Sequence, residues 1–134
     1  MYSTVQQLCS ALALTTTATA ATNTAVTGGN NYHTLDFQWT PGTSGNVFVL
    51  IIEHRVNAVT DGEWTQDMKW NESPAGTFTR VVKQYQHTAT GTTVVPFSVS
   101  FDGHGGEFRI KVSESEAGGS TKGVLTAFLT SSCS

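Results

Sequence analysis

Catalysis or metal binding in this 134-residue chain would have to be built from four histidines, two cysteines and ten acidic residues. His33, His54, His87 and His104 lie on different expected elements, and no motif links them. A Ser-His-Asp or metal arrangement would have to be assembled by the fold alone. They are expected as surface or turn histidines, the protein is expected not to be an enzyme, and no cofactor is expected. Cys9 and Cys133 sit near opposite ends and allow one disulfide at most; a bridge and two buried thiols are both open. No Cys-x-x-Cys or Cys/His spacing suggests zinc. Asp61-Gly62-Glu63, with Asp67 and Glu72, offers oxygens to calcium but lacks the dense acidic spacing of a calcium loop, so turn chemistry explains it. Asp102-Gly103-His104-Gly105-Gly106 leads into a strand, whereas phosphate cradles open a helix, so it reads as a hairpin turn. Trp64, Trp70 and Tyr85 are the candidates for an aromatic sugar platform. Aromatics on strands more often anchor a core or an interface, so the platform is the alternative reading.

Charge narrows the function classes further. Asp, Glu, Lys and Arg make up 13% of the chain, about half of what a soluble domain usually carries, and the net charge is -3. No basic footprint points to nucleic acid and no polybasic patch points to a membrane. Nothing approaches the ~20 consecutive apolar residues of a membrane-spanning helix. The apolar run Leu8 to Leu14 lacks the preceding Lys or Arg of a signal peptide. All 17 charged side chains lie between Asp36 and Lys122, so both ends are uncharged. Such ends hold a fixed shape only where protein covers them.

The elements that must position these residues read as strands. Val47 to Ile52 is a continuous β-branched, aromatic and leucine run, expected as a central strand buried on both faces. After the Asp61-Gly62 turn, Glu63 to Trp70 is expected to return beside it. Tyr32 to Thr40 alternates, with Leu35, Phe37 and Trp39 on one face. Phe78 to His87, Thr93 to Phe101, Glu107 to Glu114 and Lys122 to Thr130 complete the set, and Pro96 suggests an edge strand. The last strand is partly apolar on both faces, so it is expected to be sandwiched or capped by a partner. The expected fold is all-β, a single β-sandwich of jelly-roll or immunoglobulin-like type, with about seven or eight strands and an extended N-terminal arm.

The arm spans residues 1–31 and the sandwich domain residues 32–134. Seven threonines and four alanines take eleven of the thirteen positions 15 to 27, with Asn23 and Val26 the others, which favours extended backbone over helix. The plain alternative is an ordinary first strand of the sandwich. Residues so poor in apolar area bury little against the ~1 to 2 kcal/mol of backbone entropy lost per residue, a cost that pairing with a neighbouring subunit can offset. Val5, Leu8, Leu12, Leu14, Thr17, Thr19, Thr22, Thr24 and Val26 are therefore the expected assembly interface.

Thr60-Asp61-Gly62-Glu63-Trp64, and the Phe-Arg-Ile-Lys-Val strand from Phe108 to Val112, resemble small β-sandwich proteins encoded among the virion genes of tailed phages. The resemblance covers Leu35 to Leu129. It implies a non-enzymatic virion part such as a capsid decoration or cement protein, with other copies of itself or a major capsid protein as partners. The uncharged arm lies outside the common pattern. A carbohydrate-binding or adhesin-like module, extracellular or at the cell surface, is the alternative.

Overall fold

The computed structural model describes residues 3–26, 32–55, 64–66, 68–72, 78–82, 84–102, 107–115 and 121–132. Every regular element among them is a strand: β1 (Ser3–Ala13), β2 (Thr19–Ala20), β3 (Ala25–Val26), β4 (Tyr32–Thr40), β5 (Val47–Arg55), β6 (Thr65–Gln66), β7 (Met68–Glu72), β8 (Phe78–Val82), β9 (Gln84–Thr88), β10 (Val95–Asp102), β11 (Glu107–Ser115) and β12 (Val124–Ser132). One antiparallel sheet has the order β1-β12-β4-β10. In the other, β2 and β3 lie along one side of β11, β11 pairs with β5, and the far side of β5 takes β9 and β6. With β2 and β3 counted as one interrupted strand and β6 to β8 as an excursion, eight strands remain. Their orders are first-eighth-third-sixth and second-seventh-fourth-fifth. This is a jelly roll, which resolves the two sandwich types left open by the sequence.

Alternation decides which side chains meet between the sheets. Leu35, Phe37 and Trp39 of β4 and Leu125, Ala127 and Leu129 of β12 face Phe48, Leu50 and Ile52 of β5 and Phe108, Ile110 and Val112 of β11, and all are buried. Phe48 lies 6.3 Å from Phe37 and 5.3 Å from Trp39 between ring centroids, tilted in both pairs, the geometry that aromatic quadrupoles favour. Each such side chain contributes about 1.5 to 3 kcal/mol on burial, so this layer carries the stability.

Three expectations change. Glu63 to Trp70 does not return along β5 as one strand: only Thr65 and Gln66 pair with it, and β7 pairs with β8 instead. Phe78 to His87 divides into β8 and β9, which belong to different sheets. The N-terminal segment is extended, but it lies on its own sandwich and supplies the first two strands. β1 pairs with β12 from Ser3↔Ser132 to Ala13↔Val124, with register shifts after Gln7 and Cys9. Leu8, Leu14, Ala21 and Ala25 enter the common core. Pairing and core packing therefore run across the boundary expected at residue 31. The physical basis is main-chain pairing within the molecule: Ala21 N donates to Ile110 O and Asn23 N to Leu8 O, both at 2.9 Å.

One end of the sandwich is fixed by a buried carboxylate that sequence reading passed over as a strand terminus. Glu114 is fully buried. Its Oε1 accepts from Trp39 Nε1 at 2.7 Å and Gly123 N at 3.0 Å, and its Oε2 from Asn46 Nδ2 at 2.6 Å and Gly42 N at 3.0 Å. Four donors to an ionised acceptor offset the desolvation of the charge and join β4, the β4–β5 turn, β11 and the start of β12. The turn and the β12 lead-in approach so closely that a Cβ on Gly123 would collide with Thr40 O, and one on Gly42 with Thr121 O. Glycine is required there by close approach.

Candidate functional site

The four-stranded sheet turns its second face outward. Val5 of β1, Val124 and Phe128 of β12 and Tyr32 of β4 stand on it at 65%, 37%, 37% and 44% exposure. Among the described residues these are four of the five large hydrophobic side chains exposed to solvent, the fifth being Val94 beside β10. The register sets them in rows across the strands. One row runs Gln7, Phe128, Asp36, Ser98; the next has Thr126, Gln38 and Pro96; on the other side lie Val5, Thr130, Thr34 and Ser100. Thr34 and Ser100 share a hydrogen bond of 3.1 Å. Asp36 is the one charged side chain described on this face, and it forms no ion pair with the described residues. Beside it a shallow depression of about 360 Å³ is lined by Asp36, Gln38, Pro96, Phe97, Ser98 and Phe128.

The opposite outer face differs in kind. Glu53 and Arg55 of β5 stand directly across from Arg109 and Glu107 of β11. Arg109 Nε donates to Glu53 Oε1 at 2.5 Å, and Arg55 donates to Glu107 Oε2 from Nε at 3.0 Å and Nη2 at 2.9 Å. Trp64 lies over this quartet, its ring centroid 4.5 Å from the Arg55 guanidinium and 4.4 Å from that of Arg109. Glu53 is thereby buried. These four charges satisfy one another, while Lys111, two positions along β11 on the same face, stands outside the two pairs.

The sequence candidates distribute as follows. Of the arm residues, Leu8 and Leu14 are core side chains and Leu12 packs half-buried against them, so an intact fold does not offer them to a neighbour. Val5, Thr17, Thr19, Thr22 and Thr24 are exposed, and Val26 pairs its backbone with Glu107. Trp64 and Tyr85 do not share a platform. Trp64 lies over the outer face, whereas Tyr85, opposite Leu50, packs toward the core from the other side of the same sheet. Trp70 is paired with Arg80 in the β7–β8 hairpin, and its side chain lies outside the described residues.

His33 corrects the expectation of surface histidines. It is buried on β4 between Phe101 and Phe108, at centroid distances of 5.1 and 4.9 Å, and its Nδ1 shares a 2.9 Å hydrogen bond with the buried Ser131 Oγ. A cross-strand pair enclosed in this way contributes to packing and polar satisfaction. His54 is half-buried against Phe108, and His87 is exposed near Trp39 and Phe97. His104, Asp61 to Glu63, Asp67 and Cys133 lie outside the described residues. Among the described residues no group of three or more His, Cys, Asp or Glu is placed to hold a metal. Cys9 is a free, buried thiol whose Sγ lies 3.5 Å from Leu125 O, and burial pushes its pKa up.

No protein-family pattern matches the chain, and no curated protein matches it by sequence. Solved structures are similar to it in fold. The SPBc2 prophage-derived protein YomS superposes with a TM-score of 0.52 at 14% identity, over 97% of this chain and 92% of that one. The infectious bursal disease virus Gx strain structure gives 0.56 at 9% identity, and the VP2 subviral particle of the same virus 0.52 at 9%. In both, 98% of this chain is covered but only 32% of the viral chain, so the protein spans about a third of the length of those relatives. At such identities the shared property is the jelly-roll fold.

Proposed function

We propose that this protein is a non-enzymatic building block of a larger protein assembly, of virion type, in the manner of a capsid decoration or cement protein. The observation that carries the reading is the contrast between the two outer faces. One face pairs Glu53 with Arg109 and Arg55 with Glu107 and covers the four with Trp64. The other leaves Val5, Tyr32, Val124 and Phe128 exposed on a nearly uncharged sheet. Exposed apolar side chains set among neutral polar ones, with Val5 and Phe128 diagonal neighbours across β1 and β12, are of the kind that protein interfaces use. The jelly roll shared with prophage and viral structures supports the virion setting at the level of fold. Docking would use the outer face of the four-stranded sheet, to which the arm contributes Val5, while the apolar remainder of the arm stays in the core.

The test is co-assembly. Expressed with the structural genes of its own genome, the chain should sediment with particles on a density gradient, and Phe128→Lys should remain in the soluble fraction. A wild-type chain that never enters the particle fraction overturns the reading.

A further inference from the structure

The four-stranded sheet carries one side chain whose chemistry names what should meet it. We infer that the depression between Phe128 and Ser98 receives a guanidinium group, an exposed arginine of the protein with which this chain assembles. The inference names the partner's contacting group and rests on the building-block reading for its biological role.

Asp36 breaks a local rule. Aspartate is disfavoured on strands, and this one sits on β4, an interior strand of its sheet. Its neighbours across the strands are Phe128 and Ser98, and those along β4 on the same face are Thr34 and Gln38, all uncharged. It forms neither a hydrogen bond nor an ion pair with the described residues. A residue that contradicts the preference of its element and returns no contact to the fold is expected where function requires it. Phe128 is the second anomaly: an exposed ring directly opposite Asp36, with threonine at both flanking positions of β12 on that face, Thr126 and Thr130. Side chains so opposed have Cβ atoms about 4.5 to 5.5 Å apart, so one ligand group can touch the carboxylate and the ring together. The depression of about 360 Å³ beside them gives it room, and Gln38 and Ser98 on its rim carry further acceptor oxygens.

Charge and shape select among ligands. A neutral sugar could stack on Phe128 and bond to the polar rim, but it leaves the carboxylate's charge unmatched. A metal ion finds a single acid, with no second carboxylate or histidine lining the depression. An ammonium group matches the charge as a point and offers no flat face to the ring. A guanidinium does both: it gives two parallel N–H bonds to the carboxylate, lies with its plane against Phe128 and keeps donors for Gln38 and Ser98. The chain's own Arg55 and Arg109 are held on the opposite outer face by Glu107 and Glu53, so neither of these supplies it.

Titration of Nα-acetylarginine amide into the purified, isotope-labelled chain, followed by amide chemical shifts, tests the proposal. The resonances of Asp36, Gln38, Ser98 and Phe128 should move together, with a dissociation constant in the roughly millimolar range that a single side chain supports. The uncharged isostere Nα-acetylcitrulline amide should bind at least about fivefold more weakly, and Nα-acetyllysine amide about threefold more weakly. Asp36→Asn should raise the constant for the arginine probe about fivefold or more while leaving the unfolding midpoint unchanged, and Phe128→Leu should raise it about threefold. No shift at these residues, equal binding of the arginine and citrulline probes, tighter binding of methyl glucoside than of arginine, or indifference to Asp36→Asn overturns the inference. A midpoint lowered by Asp36→Asn gives the carboxylate a structural role and overturns it as well. Particle entry through Phe128 without arginine binding removes only the guanidinium and leaves the building-block reading. Arginine binding by a chain that never enters particles removes only the virion setting.

Discussion

The two outer faces of this jelly roll are built on the same backbone plan and solve the problem of facing water in opposite ways. On the β5–β11 face, Glu53 and Arg55 stand across from Arg109 and Glu107, so these four charges meet partners across one strand and Trp64 closes over the group. On the β12–β4 face the described side chains include one carboxylate, Asp36, and the polar surface they make is of hydroxyls and amides. A surface whose charges are already paired offers a partner little to gain, because breaking those pairs costs what new ones return. A neutral surface with exposed Phe128 and Val5 loses little on desolvation. The chain's low charge is therefore concentrated in its effect: it strips one face.

Four measurements can break or sharpen that contrast. The largest stability effect belongs to neither face. Glu114→Ala would leave the Trp39, Gly42 and Gly123 donors without the carboxylate they share and take one of the acceptors of Asn46, and should lower unfolding free energy by about 3 to 5 kcal/mol in urea. If it costs under about 1 kcal/mol, the carboxylate node is not what ties the two sheets at that end. Arg109→Ala removes the ion-pair partner that the buried Glu53 has across the strands and one of the cations over Trp64. A loss of about 2 to 3 kcal/mol with unchanged co-assembly is expected, and changed co-assembly would show that the charged face also docks.

Cys9 gives a smaller effect that is read from pH. Burial raises its thiol above the ordinary value of 9.0, so the unfolded thiol ionises first as pH rises. Its contribution to stability should be fully present below pH 9.0 and decline above it, and Cys9→Ala should flatten that alkaline limb. An identical limb in the variant would assign the decline elsewhere. Phe128→Lys should change stability least, within about 0.5 kcal/mol, because its side chain projects into solvent in the monomer. The same substitution should have the largest effect on association. A large loss of stability would mean that Phe128 supports the fold and is not reserved for docking.

Alternation alone was enough to assign the inward residues of β4, β10, β11 and β12, because a half-buried strand writes its two faces into a period of two. The docking face had a partial signal too: Val124 and Phe128 stand opposite Leu125 and Leu129, which marks the last strand as apolar on both sides. Phe78 to His87 misled because it contains two strands with no turn residue between them, so periodicity could not show that β8 and β9 belong to different sheets. His33 carries no local mark of burial. Its enclosure depends on Phe101, Phe108 and Ser131, each more than sixty positions away in the chain.

The sequence by itself determined the class of fold, the residues of the inner layer and the scarcity of charge, since these follow from the order of residue types along single strands. Only the tertiary structure decided where the uncharged ends lie. β1 adds to β12, and β2 and β3 to β11, because each finds main-chain donors and acceptors and core space within its own molecule. Strand partners distant in sequence leave no local trace, and the same step that buried Leu8 and Leu14 left Val5 and Phe128 together on one open face.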